Sequence, residues 1–338
     1  MIFMRRLAFL LLLAAALNAQ TKPVSVRLAT VMPSGTSFHQ ILQRMGQAWR
    51  QAPGGGVILT IYAGSSMGGE ADIVRRMRQN QLQAGMLSVV GLSDIDKSVT
   101  ALSYMPMMFR SLDELDYVRD QLRPELEKRL LEKGFVTLFW GDAGWVRFFT
   151  KEPILRPADL RKLKLFAWAG DNYQIDLMKT VGFQPIPLET SDILPGLQTG
   201  LISAISTAPF YALATQVYGP APHMLDMNWA VLVGAAVVNA KTWESIPAAT
   251  REVLRKAADE AGVEMRKRGR QEAEDSVQTM QKRGLKTHPV TPEVEAEWRR
   301  IAEDVYPKIR GNMVPADMFD RVQRLLADYR AGKGKPGK

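Results

Sequence analysis

A helical pattern of exceptional length restricts how this chain can fold. From residue 248 to residue 283 the apolar residues recur with a helical period for about 36 residues, and Gly262 and Gly269 interrupt the pattern only weakly. At about 1.5 Å per residue, such a helix is about 50 Å long. This exceeds the size of a single lobe, so the helix must cross from one lobe to another or project into solvent.

The length of the chain predicts two lobes. With 338 residues, the chain is longer than one ordinary hydrophobic core organises, and its length is consistent with two lobes of roughly 150 residues each. Predicted strands at 24–31, 57–62 and 86–90 alternate with helices that begin at Ser37 and Glu70. This alternation indicates parallel strands with right-handed crossovers, and the predicted fold class is α/β.

The remaining elements predict how the lobes are divided. Segments 135–140, 145–149 and 163–167 are predicted strands, the last two in a second sheet, and Pro124 is expected to split the preceding helix. The apolar run 231–238 returns the chain to the first sheet. The predicted ranges are 20–144 plus 232–270 for lobe I and 145–231 plus 271–330 for lobe II.

The N-terminal sequence has the pattern of an export signal. Arg5 and Arg6 precede an apolar run of eleven residues, 7–17, which is too short to span a bilayer. Ala19 offers a small residue for cleavage, so residues 1–19 are predicted to be a signal peptide and the mature protein to be periplasmic. A membrane anchor is the alternative.

Composition excludes several classes of function. There is no cysteine, which rules out disulfides, thiol catalysis and Cys-ligated zinc. The formal net charge is +9, and removing Arg5 and Arg6 with the signal leaves +7. The positive charges are scattered among 35 acidic residues, apart from a basic tail. That tail, 330–338, is interleaved with Gly and Pro and is predicted to be disordered, so no nucleic-acid binding is expected.

No metal or cofactor is expected. His39, His223 and His288 are far apart in sequence and lack the spacing of metal ligands. Neither a Walker loop nor a G-x-G-x-x-G dinucleotide fingerprint is present. The histidines are interpreted as isolated surface or core residues.

Several motifs together carry a family resemblance. They occur, in this order, as A-G-S-S-M-G-G-E at 63–70, M-P-M-M-F at 105–109, G-W-V-R-F-F-T at 144–150, P-A-D-L-R-K-L-K-L-F at 157–166, L-Q-T-G at 197–200, and 211–225 before a return strand. The set resembles the solute-binding proteins of TRAP transporters, DctP type, over essentially all of the mature chain.

The resemblance implies a fold and a role. It implies two α/β lobes that close on a cleft, as in a Venus flytrap, with a long helix crossing both. It also implies a periplasmic receptor that performs no chemistry and delivers its ligand to the small and large subunits of a membrane permease. A branch of the family that is found beside tetratricopeptide-repeat partners resembles this chain in having an apolar cleft, so such a partner is a further expectation.

The resemblance also places the ligand. Arg147 aligns with an arginine that contacts ligand carboxylates, whereas Phe166 stands where the dominant carboxylate-binding arginine is usual. Thr207 replaces a frequent asparagine, and Val89 and Val90 occupy a cleft-facing stretch. With the nearby aromatic residues and the acid of the first motif, the predicted ligand-binding residues are Arg147, Phe166, Trp168, Thr207, Trp145, Phe210, Trp229, Val89 and Glu70.

These substitutions favour a ligand with an apolar body. The predicted ligand is an organic acid with a sizeable apolar part or a more fully apolar molecule, since ligand clefts are mostly apolar with few placed polar groups. An ordinary small carboxylate held by Arg147 alone is the alternative within the class. Core packing of the aromatic rings, and a structural ion pair between Arg147 and a carboxylate such as Asp142, are the non-functional alternatives.

A hydrolase is the alternative outside the class. Residues 64–68 fit G-x-S-x-G, the nucleophile-elbow pattern, with Ser66 as nucleophile and Asp226 and His288 as partners by order. The family's glycine-rich loop accounts for the same residues, so the chain is predicted not to be an enzyme.

Overall fold

The structure is a computed structural model that describes residues 23–333. The predicted signal peptide lies outside the described residues, as do residues 334–338 of the basic tail. Within residues 23–333 the chain forms nine strands: β1 (Val24–Thr30), β2 (Val57–Tyr62), β3 (Ala84–Ser88), β4 (Phe135–Thr150), β5 (Lys164–Trp168), β6 (Gln184–Leu188), β7 (Ala204–Thr207), β8 (His223–Asn239) and β9 (Lys286–Pro289).

Twelve α-helices occur in the same range: α1 (Ser37–Arg50), α2 (Glu70–Arg78), α3 (Val89–Ser93), α4 (Leu112–Glu132), α5 (Pro157–Leu160), α6 (Asn172–Thr180), α7 (Ile193–Thr199), α8 (Pro209–Ala214), α9 (Ala240–Glu244), α10 (Ala248–Lys282), α11 (Pro292–Ile309) and α12 (Ala316–Arg330). Two 3₁₀-helices cover Lys97–Leu102 and Thr190–Asp192. No helix in the described part of the chain combines the length and apolarity that a membrane span requires.

The described strands form one sheet in the order β2-β1-β3-β8-β4-β7-β5-β6, and β9 pairs with β8. The prediction of a second sheet is therefore wrong. The predicted strands 135–140 and 145–149 are one strand, β4, which pairs antiparallel with β8 along both halves of the sheet. Register shifts between Asp142 and Trp145 bend this pair without ending it, because a bulge redirects a strand while pairing continues.

The two halves of the sheet have separate hydrophobic clusters. In the half formed by β1, β2 and β3, one face packs on α1 and the start of α10, through residues such as Trp49 and Leu254. The other face of this half is covered by α2, α4 and α12. In the half formed by β5, β6 and β7, one face contacts Met280 near the end of α10, and the other contacts Trp298 of α11. The long helix thus packs against both halves.

Two glycines let the long helix lie directly on β4. A Cβ at Gly262 would be 2.6 Å from Phe139 Cβ, and one at Gly269 would be 2.4 Å from the carbonyl oxygen of Asp142. The sequence pattern treats these glycines as weak points of the helix. The structure shows that the helix approaches β4 closely at both of them.

Two other expectations differ from the structure. Pro124 lies inside the continuous helix α4, since Leu122 and Leu126 on either side of it pack into the same cluster. Arg330 belongs to α12 and pairs with Glu114 at 2.8 Å, so it is not part of a disordered tail.

The predicted lobe boundaries stay a prediction. Apolar residues of 305–326 share a hydrophobic cluster with α4.

Candidate functional site

A cavity of about 220 Å³ lies between the two halves of the sheet. Its walls come from β1, β3 and α3 in one half and from β4, β5, β7 and α6 in the other, with β8 and α11 completing them. Most of the lining is apolar, and its larger members include Met32, Phe38, Phe148, Trp168, Phe183 and Trp229.

The charged side chains of the described lining are both carboxylates, Glu70 and Asp142, and no Lys or Arg lines it. Arg270 of α10 neutralises Asp142 through a two-point contact, Nε to Oδ1 at 3.1 Å and Nη2 to Oδ2 at 2.8 Å. A two-point arginine–carboxylate contact is both strong and directional. Asp142 therefore holds the long helix on β4 at the bend.

Glu70 fastens the loop that forms one wall of the cavity. It opens α2 and is buried, with its Oε1 accepting from the Ser88 N–H at 2.8 Å. Its Oε2 accepts from Ser88 Oγ at 2.6 Å and from the Gly91 N–H at 2.7 Å. Burial raises the pKa of Glu70, and these three donors oppose the shift. The bonds fix the turn into α3, which presents Val89 and Val90 to the cavity.

Arg147 does not line the cavity, although its neighbours Val146 and Phe148 do. It pairs in register with Thr207 of β7, which lines the cavity. Arg147 Nη1 pairs with Asp226 of β8 at 2.8 Å, and Nη2 pairs with Glu274 of α10 at 3.2 Å. The structural alternative for Arg147 is therefore present, but its suggested partner Asp142 is wrong.

Aromatic residues of the predicted site divide into two groups. Trp168 and Trp229 line the cavity, and the Trp229 ring lies 5.4 Å from that of Phe148. Phe166 is buried beside Trp168, with ring centroids 5.0 Å apart, but it faces the cluster that contains Met280 of α10. It does not line the cavity.

Of the other predicted site residues, Thr207, Val89 and Glu70 line the cavity, whereas Trp145 and Phe210 do not. Trp145 packs against the core of the half that contains β1. Phe210 stacks on Phe38 at 4.9 Å and so supports a lining residue from behind. The structure thus gathers five of the nine residues around one cavity and places four outside it. Their roles in binding stay predictions.

The predicted site omits polar groups that the cavity contains. Ser206 and Tyr211 lie close to Thr207 in sequence, and Gln174 projects from α6. Tyr104 also lines the cavity, and its hydroxyl donates to Asp171 Oδ2 at 2.8 Å. The position of Ser206 and Thr207 at the end of β7 is a signal that sequence reasoning could have used. The contribution of α6 becomes visible only when the halves are assembled.

The hydrolase alternative lacks an assembled triad. Ser66 is exposed in the turn between β2 and α2. Its suggested acid, Asp226, pairs with Arg147, and the Nε2 atom of its suggested base, His288, lies 2.9 Å from Nδ1 of His223. The interpretation of these two histidines as isolated is wrong. The described residues nevertheless hold no group of three or more metal-ligating side chains.

Comparison with known proteins assigns the family. The model of bacterial extracellular solute-binding protein, family 7 (DctP), matches residues 28–312. The chain belongs to this family. It is similar to the C4-dicarboxylate-binding periplasmic protein DctP of Rhodobacter capsulatus, with 21% identity over 318 residues, which cover 94% of this chain and 95% of that protein.

Solved structures of other solute-binding proteins share the fold. A TRAP periplasmic solute-binding protein from Shewanella oneidensis with bound succinate matches with a TM-score of 0.83 and 20% identity, covering 90% of this chain and 99% of that one. The sugar acid binding protein DctPAm from Advenella mimigardefordensis, in complex with galactonate, matches with a TM-score of 0.84 and 14% identity, covering 91% and 99%. These matches confirm the two-lobed α/β periplasmic binding protein fold and the resemblance to TRAP solute-binding proteins. They give the hydrolase alternative no support.

Proposed function

We propose that this protein is the periplasmic receptor of a TRAP-type transporter and that it binds a small molecule with a sizeable apolar body. The observation that carries the proposal is the lining of the cavity, which is largely apolar and contains no Lys or Arg among the described residues. Apolar clefts with a few placed polar groups are typical ligand sites. An organic acid with an apolar part and a more fully apolar molecule both fit this description.

Ligand binding would act through the bend in β4 and β8. These two strands run through both halves of the sheet, and their register shifts lie near Asp142 beside the cavity. A ligand that contacts both halves stabilises the closed form by its differential affinity for that form. The closed receptor would then dock on the small and large subunits of the permease, with a tetratricopeptide-repeat protein as a further partner.

A small dicarboxylate is the second candidate ligand. It is favoured by the similarity to proteins that are described as C4-dicarboxylate-binding or that hold succinate. In this chain such a ligand would need Arg147 to exchange Asp226 and Glu274 for the ligand carboxylate. The geometry therefore supports the first candidate better.

A thermal-shift panel on residues 20–338 tests the proposal. The panel contains succinate, galactonate, phenylacetate and saturated fatty acids of medium to long chain. Each compound is also tested as an uncharged derivative. A ligand at 100 times its Kd adds about 2.7 kcal/mol to the free energy of unfolding. We expect molecules with apolar bodies to raise the Tm. A rise with succinate or galactonate alone would contradict the proposal.

Two tryptophan variants show whether the cavity is the binding site. Trp168→Leu removes a lining ring, whereas Trp243→Leu removes a ring from the cluster under α1, away from the cavity. We expect the first variant to reduce the ligand-induced rise in Tm and the second to preserve it. Equal effects of the two would place binding elsewhere.

A further inference from the structure

One part of the cavity is bordered by a single hydrophobic cluster. Phe148, Leu165 and Phe183 line the cavity and belong to the cluster that packs on α11. Met178 and Trp229 also line the cavity and pack against the same cluster. We call the space beside these five residues the side pocket.

Strand pairing places the side pocket on the side of the sheet that α11 covers. Phe148 of β4 pairs with Leu225 of β8, and Leu165 of β5 pairs with Ala204 of β7. Residues directly opposite each other on paired strands share a face, and all four belong to the cluster on α11. Phe166, the next residue of β5, belongs instead to the cluster that contains residues of α10. The side pocket therefore lies between the sheet and α11.

The walls of the side pocket are buried and apolar. Phe148, Leu165 and Phe183 border the cavity although they are only 2%, 1% and 6% exposed. The rings of Phe148 and Trp229 both pack on the ring of Trp298, with centroids 5.4 and 5.7 Å away. An enclosed apolar space is poorly hydrated, so an apolar group that enters it gains contacts with the walls and displaces little bound water.

The helix α6 covers the side pocket and links it to the other half of the molecule. Met178 of α6 packs against the cluster on α11, whereas its neighbour Leu177 packs against the cluster of the half that contains β1. Asp171, which caps α6, accepts a hydrogen bond from the Tyr104 hydroxyl. A tail in the side pocket would thus contact a helix that packs on both halves, and it would favour the closed form.

The size of the cavity limits the tail. The whole cavity measures about 220 Å³, and the side pocket is one part of it. An apolar cavity of about 150 Å³ is large enough for a benzene ring. The side pocket therefore suits a single ring or a short alkyl chain rather than a long acyl chain.

We infer that the side pocket is a subsite for the apolar tail of a compact monocarboxylic acid. This inference rests on the proposed function and names its ligand class. The carboxyl group stays in the rest of the cavity, because the five residues of the side pocket carry no charged or hydroxyl group. A second carboxylate at the end of the tail would be buried without a partner, which disfavours a dicarboxylate in this subsite.

Calorimetric titration with three matched acids tests the subsite. Butanoate and hexanoate share a carboxyl group and differ by two methylenes, and we expect hexanoate to bind about fifteenfold more tightly because both methylenes are buried. Adipate has the length of hexanoate and a second carboxylate, and we expect it to bind at least about tenfold more weakly than hexanoate.

Two tryptophan substitutions test where the tail binds. Met178→Trp enlarges a half-buried lining residue of α6, and we expect it to reduce the preference for hexanoate over butanoate to about threefold or less. Leu188→Trp is the matched control, since Leu188 is half-buried on β6, packs against the cluster that contains Met280 and lies outside the cavity lining. It should keep the preference of the parent protein. Val181→Phe, which also enlarges a half-buried lining residue, replaces Met178→Trp if that variant does not fold.

The outcomes separate this inference from the proposed function. The same preference for hexanoate in the parent protein and in both tryptophan variants would overturn the inference and leave the proposed function intact, because an apolar body would then bind outside the side pocket. Tighter binding of adipate or succinate than of either monocarboxylate would overturn both.

Discussion

Arg147 shows how one side chain can carry a family motif and yet be paired within the protein. Its neighbours Val146 and Phe148 line the cavity, whereas Arg147 is not part of the lining. There its guanidinium joins β4 to Asp226 of β8 and to Glu274 of α10, and its Nε atom is buried without a partner. This arrangement indicates a structural brace between strands and helix.

We predict that Arg147→Met lowers the free energy of unfolding by about 1–2 kcal/mol and preserves the ligand-induced rise in Tm. The effect stays moderate because the side chains of Asp226 and Glu274 are 44% and 68% exposed and recover hydration. Urea unfolding and a thermal-shift assay measure the two quantities. Arg300→Met, exposed on α11, is the control. If the rise in Tm disappears, Arg147 contacts the ligand as the motif predicts.

The short strand β9 is held beside β8 by a pair of histidines. His223 pairs with Lys286 in the parallel register, and its ring stacks on that of His288 at 5.1 Å. Burial, His288 and Lys286 lower the pKa of His223. While both rings are neutral, one ring donates an N–H···N hydrogen bond to the other, and the positive charge of Lys286 disfavours protonation of His223.

The sign of this shift predicts a loss of stability in acid. Because the pKa of His223 is lower in the folded chain, the unfolded chain takes up the proton first as the pH falls below about 6.5. We therefore expect the free energy of unfolding to fall between pH 7.5 and 5.5, and His223→Asn to flatten that slope. Urea unfolding at both pH values measures it, with His39→Asn as control. If the free energy of unfolding of His223→Asn depends on pH as steeply as that of the parent protein, His223 is not the source of this dependence.

Contacts across the cavity hold the two halves of the molecule together. The Tyr104 hydroxyl donates to Asp171, which also caps α6, and Lys97 Nζ lies 4.1 Å from the centroid of the Tyr173 ring. Leu177 of α6 packs against the core of the half that contains β1. The helix α6 therefore closes one side of the cavity.

Removing one of these contacts is expected to favour the open form. We predict that Tyr104→Phe raises the Kd of a bound apolar ligand by about two- to tenfold and enlarges the radius of gyration of the ligand-free protein. Calorimetry and small-angle X-ray scattering measure these changes. Tyr218→Phe, which loses a hydrogen bond from Arg283 Nη1 outside the cavity, is the matched control. Equal radii for Tyr104→Phe and the parent protein would contradict the prediction.

Local sequence patterns predict much of the secondary structure. The long helix was expected at 248–283 and is found at Ala248–Lys282, and β2 has the predicted bounds Val57–Tyr62. Apolar periodicity, caps and glycine turns act over a few residues, so they can be read without a structure. The ordered motifs likewise identified the family, which the match over residues 28–312 confirms.

Contacts between residues far apart in sequence determine the features that local patterns do not predict. Pro124 stays within α4 because leucines on both sides of it share one cluster, and β4 continues past residue 140 because β8 pairs with it throughout. Tertiary contacts also give Arg147 its partners Asp226 and Glu274 and leave Ser206 lining the cavity. Residues far apart in sequence, from α6 to α11, complete the cavity. A local sequence pattern does not predict which of their side chains come into contact.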